Sequence, residues 1–195
     1  MARSPKFDDD EVLDRAMKAF WEGGWTRTSI RDLEDALELK APSIYRRFGT
    51  KEGLGVAVVD HYVDRVVERR VRTLLHGDGD PIANIRRFLE TSVTESGDGG
   101  RLWGCLLTTM SLEADECDAE VTVALQRGLE AIEAGIGAEM RRAAASGRLP
   151  EGVTPEAATA SATLAMQGLM ALSRSGMSSV ELRARARQTV EVFTR

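Results

Sequence analysis

The chain has 195 residues, 43% of them hydrophobic and 29% charged, with 26 Lys and Arg against 31 Asp and Glu. This is the composition of a globular protein with a sizeable core in one or two domains. It excludes a disulfide-built scaffold, since Cys105 and Cys117 are the only cysteines. It also excludes a bundle of membrane spans, since no apolar run nears the ~18 residues a span needs. The N-terminus MARSPKFDDDEV has no signal-peptide core, so the cytoplasm is the expected compartment. Neither histidine lies in a Cys/His cluster with metal-ligand spacing, and no metal or cofactor is expected. Charge is uneven. Residues 1–76 hold 14 cations and 14 acids, so the whole net charge of −5 lies beyond them.

Apolar periodicity is helical throughout, and breakers divide the chain into about nine helices, an all-α fold. The first is expected over Asp9–Gly23, with the acids at 8–11 suited to a helix N-terminus and Gly23-Gly24 as its stop. The second starts at Thr28 or Ser29, where Ser29 and Asp32 form a variant capping box, and ends near Leu37. The third covers Ala41–Phe48, with Pro42 tolerated in the first turn and Gly49 after the last. The fourth follows Thr50, a good N-cap, and runs to about Leu75. Helix five is expected from Pro81 to about Ser96, helix six from Leu102 to Ala114 and helix seven from Asp118 to Ala145. Helix eight is expected over Pro155–Ser173, and helix nine from Ser178 to the end.

Two short helices joined by about three residues, the second one basic, form a helix-turn-helix arrangement. The stretch LKAPSIYRRFGTK, residues 39–51, carries Lys40, Arg46, Arg47 and Lys51 and no acid. A surface that meets phosphates keeps cations and excludes carboxylates. Ile44 and Phe48, four apart, face inward. Lys40, Pro42, Ser43, Tyr45, Arg46 and Arg47 are left for solvent or DNA. Lys51 and Thr50 open helix four, where free amides attract a phosphate. Arg3 and Lys6 are candidate arm contacts.

The segment AFWEGGWTRTSIRDLEDALELKAPSIYRRFGTKEGL, residues 19–54, resembles the N-terminal domain of the tetracycline-repressor (TetR) family of transcription regulators. The resemblance rests on Phe20, Gly24-Trp25, Thr28-Ser29 with Ile30 and Leu33, Leu39, Ile44-Tyr45 with Phe48, and Lys51-Glu52 with Leu54. It implies a homodimer with a DNA-binding head over residues 1–52 and a ligand-binding and dimerisation body over 53–195. It also implies a double-stranded DNA operator and a small-molecule inducer. Thr28, Ser29, Lys40, Pro42, Ser43, Tyr45, Arg46, Arg47 and Lys51 then become candidate DNA-binding residues, with Tyr45 and Lys51 on phosphates. The sequence departs from the family pattern at Glu38, where glycine is common, at Lys40, where serine is common, and at Pro42, another common glycine. Glu38 is expected either in a left-handed conformation costing about 1 kcal/mol or in a slightly different turn, and Lys40 cannot cap the next helix.

Residues 101–125, RLWGCLLTTMSLEADECDAEVTVAL, resemble a subgroup with a Gly-Cys-Leu-Leu helix six and an acidic turn. A pocket between bundle helices would use adaptable apolar walls and a few polar groups. The candidates are Trp103, Cys105, Leu106, Thr109, Met110, Met140, Met166, Gln167 and Met170. Cys105 reads either as a small core residue or as a sensor of oxidants or electrophiles. The small residues of helix eight, with helix nine, suggest the dimer interface, and two heads about 34 Å apart would read a palindrome. No enzyme motif is present: there is no Gly-x-Ser-x-Gly, no His-Glu-x-x-His and no phosphate-cradling glycine loop. A regulator that needs no ligand remains an alternative, although the body is larger than dimerisation requires.

Overall fold

The computed structural model describes residues 8–76, 78–93, 102 and 104–192. Among these residues every regular element is a helix, and there are nine. They are α1 Asp9–Gly23, α2 Ile30–Leu37, α3 Ala41–Phe48, a long α4, α5 Pro81–Ser92, α6 Leu106–Ser111, α7 Ala119–Ala145, α8 Pro155–Ser173 and α9 Ser179–Glu191. The long α4 joins three segments: Lys51–Tyr62, a π-helical Val63–Glu68, and Arg69–Leu74.

Capping chemistry sets most boundaries. Asp8 accepts the Asp10 amide at 3.2 Å and opens α1. Ser29 and Asp32 complete a reciprocal capping box on α2, with the Ser29 amide donating to Asp32 at 2.8 Å and the Asp32 amide to Ser29 Oγ at 3.3 Å. The Ser29 hydroxyl holds the Asp32 carboxyl below its ordinary pKa. Ser178 and Glu181 repeat the device on α9. Glu38 ends α2 at φ 54° and ψ 32°, the left-handed conformation of the two alternatives.

The structure differs from the sequence expectation inside α4 and at helix six. The π-helical stretch inside α4 was not anticipated, since a register change leaves no periodic signature over six residues. Helix six begins four residues later than expected and ends earlier, and a 3₁₀ turn at Ala114–Glu116 follows. The cause is Gly104, at φ 72°, which lies flat against α8: a Cβ there would sit 2.7 Å from Ser173 Oγ and 2.9 Å from the Met170 carbonyl oxygen. The last helical residue described in α5 is Ser92, and the expected extension to Ser96 lies outside the described residues.

The head packs α1 against α2, α3 against α4, and α1 onto α4. Phe20, Leu33, Leu37 and Ile44 are fully buried within it. In the body, α7 packs between α4 and α8, and α9 lies against α5 and α8. Gly128 and Gly135 let α4 approach α7, because a Cβ at either would press on Val63 or Val71. The buried apolar residues run as one cluster from Val12 to Val190. Helix α8 divides its small residues between two faces. Ala158, Ala162 and Leu169 are buried, whereas Ala157, Ala160, Leu164, Gly168, Ala171 and Leu172 face outward, Leu164 with 72% of its surface exposed.

Candidate nucleic-acid interface and body cavity

Helix α3 is held by its neighbours and leaves one side open. Ile44 is fully buried and Phe48 half-buried, as their spacing requires. Lys40 occupies the N-cap and makes no side-chain cap bond. The cap comes instead from α2: Glu34 Oε1 accepts the Ala41 amide at 2.7 Å. The carboxylate therefore lies against the start of the helix, leaving the outer face free of acids. On that face Lys40, Pro42, Tyr45, Arg46 and Arg47 are exposed and Ser43 is half-exposed. Tyr45, with 44% of its surface exposed, is a large aromatic ring turned outward rather than onto α1.

The four cations differ in their commitments. Lys40 and Arg46 carry no ion pair among the described residues. Arg47 pairs with Asp9 at the start of α1 and lies over the Phe48 ring at 5.8 Å. Lys51 turns inward: its ammonium donates to the Trp25 carbonyl at 2.8 Å and stands 4.3 Å from the centre of the Trp25 ring. Burial holds its pKa below the usual lysine value. Thr28 is buried and donates to the Gly24 carbonyl at 2.6 Å, and Ser29 is engaged in the α2 cap. Arg3 and Lys6 lie outside the described residues.

The head is clamped to the body by the acidic turn that follows α6. Glu113 accepts the Thr26 amide at 2.6 Å, and the Trp25 indole donates to the Glu116 carbonyl at 3.1 Å. His61 Nε2 on α4 lies 2.7 Å from Asp14 on α1, with Arg65 reaching Asp10 at 3.2 Å beside it. Cys117, in the same turn, has its thiol pKa pushed up to about 11 by burial and then by Glu113.

Inside the body a cavity of about 170 Å³ opens between α4, α5 and α8. Cys105, Met166 and Met170 line it, as expected. Leu106, Thr109, Met110 and Met140 are buried elsewhere in the core, and Gln167 accepts the Thr108 hydroxyl. Trp103 lies outside the described residues. Ten described lining residues were not anticipated, among them Trp21, Tyr62, Val66, Arg70 and Phe88. Trp21 and Tyr62 meet edge-on, with ring centres 5.2 Å apart, and the Tyr62 hydroxyl donates to Cys105 Sγ at 3.6 Å. The signal for this wall was the run Tyr62, Val66, Arg70. Its i, i+4, i+8 spacing puts an arginine on the apolar stripe of α4.

Residues 12–58 match the family pattern described as bacterial regulatory proteins, tetR family. The HTH-type transcriptional repressor ComR of Escherichia coli is 51% identical over 63 residues, 32% of this chain and 30% of ComR, so that match speaks for the head. An uncharacterized HTH-type transcriptional regulator of Bacillus subtilis, YezE, is 29% identical over 153 residues, 76% of each protein. Among solved structures, a cysteine-substituted variant of the TetR family transcriptional regulator CifR superposes with a TM-score of 0.85 at 26% identity. The match covers 98% of this chain and all of that one, and the variant is complexed with 26-base-pair double-stranded operator DNA. Reduced NemR of Escherichia coli shares the fold, with a TM-score of 0.83 at 18% identity over 95% of this chain and 97% of NemR.

Proposed function

Because this chain is a regulator of the tetR family, we propose that it is a ligand-responsive transcriptional repressor that binds a palindromic double-stranded DNA operator as a homodimer and is released by a small-molecule inducer. The observation that carries the reading is the outer face of α3, which presents Lys40, Tyr45 and Arg46 with no acid among them. Such a face attracts phosphates along its length and lets an arginine or serine reach base edges in the major groove. Residues 1–52 act as the reading head and 53–195 as the body, in the cytoplasm and without catalytic work. Pro42, Ser43, Arg46 and Lys40 lie toward the bases and backbone, Tyr45 takes a phosphate, and Arg47 joins when it leaves Asp9. Thr28, Ser29 and Lys51 position the head from behind.

Dimerisation uses the outward small-residue face of α8, where Gly168 leaves open space above its backbone and Leu164 is the protruding apolar knob. Together with α9 it forms a four-helix contact. Helix α4 carries the response. Its first turn abuts α3, its middle grips α1 through His61 and Arg65, and the stretch from Tyr62 to Arg70 walls the cavity. An inducer that prefers one position of α4 shifts the separation of the two heads and lowers operator affinity. The cavity favours this over a regulator that needs no ligand. The run Gly104-Cys105-Leu106-Leu107 supports grouping the chain with the Gly-Cys-Leu-Leu regulators.

Cys105 supports a second reading, as a sensor of electrophiles or oxidants, because its sulfur lines the cavity and accepts the Tyr62 hydroxyl. In that reading an alkylated or oxidised Cys105 releases the operator, and Cys105→Ser removes that release while binding DNA normally. The test of the main reading is selection of bound sequences from a random duplex pool by the full-length protein. Enrichment of an inverted repeat supports it; enrichment of nothing, or of a single unrepeated half-site, overturns it.

A further inference from the structure

The cavity contains a charge that no described residue neutralises. Arg70 is the only charged residue on its described walls. One terminal nitrogen, Nη2, donates to three neutral oxygens: the Phe88 carbonyl at 3.1 Å, Thr91 Oγ1 at 3.0 Å and Ser92 Oγ at 2.9 Å. Among the described residues no carboxylate pairs with the guanidinium, and only its Nη2 is engaged. The group also lies over the Phe88 ring, 5.3 Å from its centre. Burial lowers its pKa. A half-buried cation without an anion beside it is costly, and it remains only where the surroundings hold it in place. Here the end of α5 holds it through one nitrogen, at the wall of the cavity.

Most of the other described wall residues are apolar, Trp21, Val66, Phe88, Ile132, Met166 and Met170 among them, with Tyr62, Thr91, Ser92 and Cys105 adding polar atoms. The volume, about 170 Å³, is close to that of an engineered cavity of ~150 Å³ that takes up benzene. That is room for one ring or a short chain with a small polar end. It is too small for a nucleotide, and a single arginine is too little charge for a polyphosphate.

Resting on the reading of the body as an inducer site, we propose that its ligand is a small organic acid whose ring or chain fills the apolar walls and whose carboxylate pairs with Arg70. A carboxylate matches the guanidinium fork in charge and in planarity. It supplies the counter-charge that the described residues do not. Arg70 follows the π-helical stretch of α4 by two residues, so the pairing acts directly on the helix that carries the head.

The test uses benzoate and its neutral isostere benzamide as probes, with isothermal titration and thermal melting of the full-length protein. Wild type binds benzoate about tenfold more tightly than benzamide, the ratio expected of a single charge-assisted pair. Arg70→Gln brings the ratio to about one while benzamide binding persists, and Arg70→Lys, which keeps the charge and guards against a folding defect in the first variant, retains a preference for benzoate. Equal binding of the two probes by wild type, binding of neither, or a preference that survives Arg70→Gln overturns the proposal. Operator binding is followed in the same samples without additive. Its absence counts against the protein as a DNA-binding regulator, independently of how the two probes compare.

Discussion

Replacing Lys51 by methionine separates two roles that the sequence leaves together. The substitution keeps the aliphatic stem and removes the ammonium that donates to the Trp25 carbonyl at 2.8 Å and stands 4.3 Å over its ring. A hydrogen bond from a charged donor is worth ~1.5 kcal/mol or more, and a half-buried cation–π contact ~0.5–1 kcal/mol. Relief of the lysine's own desolvation returns part of that, leaving a loss of about 2 kcal/mol. For a chain of this length each kcal/mol moves the melting point by about 2–4 °C, so Lys51→Met lowers Tm by about 4–8 °C. The assay is thermal unfolding at matched protein concentration, paired with operator binding across a salt series. The salt dependence of folded protein stays that of wild type, because the ammonium faces Trp25. A melting point within 1 °C or so of wild type, together with a salt slope shallower by about 1.8 for the two heads, would refute the reasoning and return Lys51 to the phosphates.

Glu34→Ala removes the acceptor of the Ala41 amide and costs about 1 kcal/mol, as lost N-caps do; the same variant loosens α3, seen as faster amide exchange over residues 41–44, and unchanged exchange would show that Glu34 is not the cap. Leu164→Arg puts a charge on the outward face of α8 and yields a monomer by sedimentation with operator affinity lost, whereas a dimer of unchanged affinity would place the interface elsewhere. The Cys117 thiol, raised to about 11, keeps its proton in the fold between pH 9 and 11 while the unfolded chain gives its proton up. Folding stability from this group therefore falls as pH rises through that window, and Cys117→Ala flattens the fall. At pH 8 about one Cys117 in a thousand is thiolate, so iodoacetamide labels it slowly and faster as pH climbs; rapid labelling at pH 8 would contradict the buried, acid-flanked setting.

Much of the head was legible from single residues. Asp8, Ser29 with Asp32, Pro42, Gly49 and Thr50 each have one dominant use near a helix end, and the structure uses each in that way. Even the strain at Glu38 was legible, as one of two alternatives for that turn. What the sequence hid was contact between distant residues. Nothing local tells Lys51 to turn toward Trp25, or Glu34 to cap a helix seven residues on. Nothing local tells the acidic turn at Glu113 to hold the Thr26 amide. The cavity was half legible for the same reason. Methionines and a cysteine mark adaptable walls, but methionines at 110 and 140 fill core while those at 166 and 170 line space. Arg70 was missed because an arginine within a helix reads as solvated until its neighbours are known to be apolar.

The most direct measurement of the central claim is operator affinity across a salt series for wild type and the Lys40→Ala/Arg46→Ala double variant, by fluorescence anisotropy. Each phosphate contact contributes about 0.9 to the slope of log affinity against log salt, and a dimer on a palindrome carries two copies of each residue. Lys40 and Arg46 are exposed on α3 with no acid to hold them. The account predicts steep salt dependence in wild type and a slope shallower by about 1.8 to 3.6 in the variant. An unchanged slope in a folded variant would contradict it and move the DNA contact off α3.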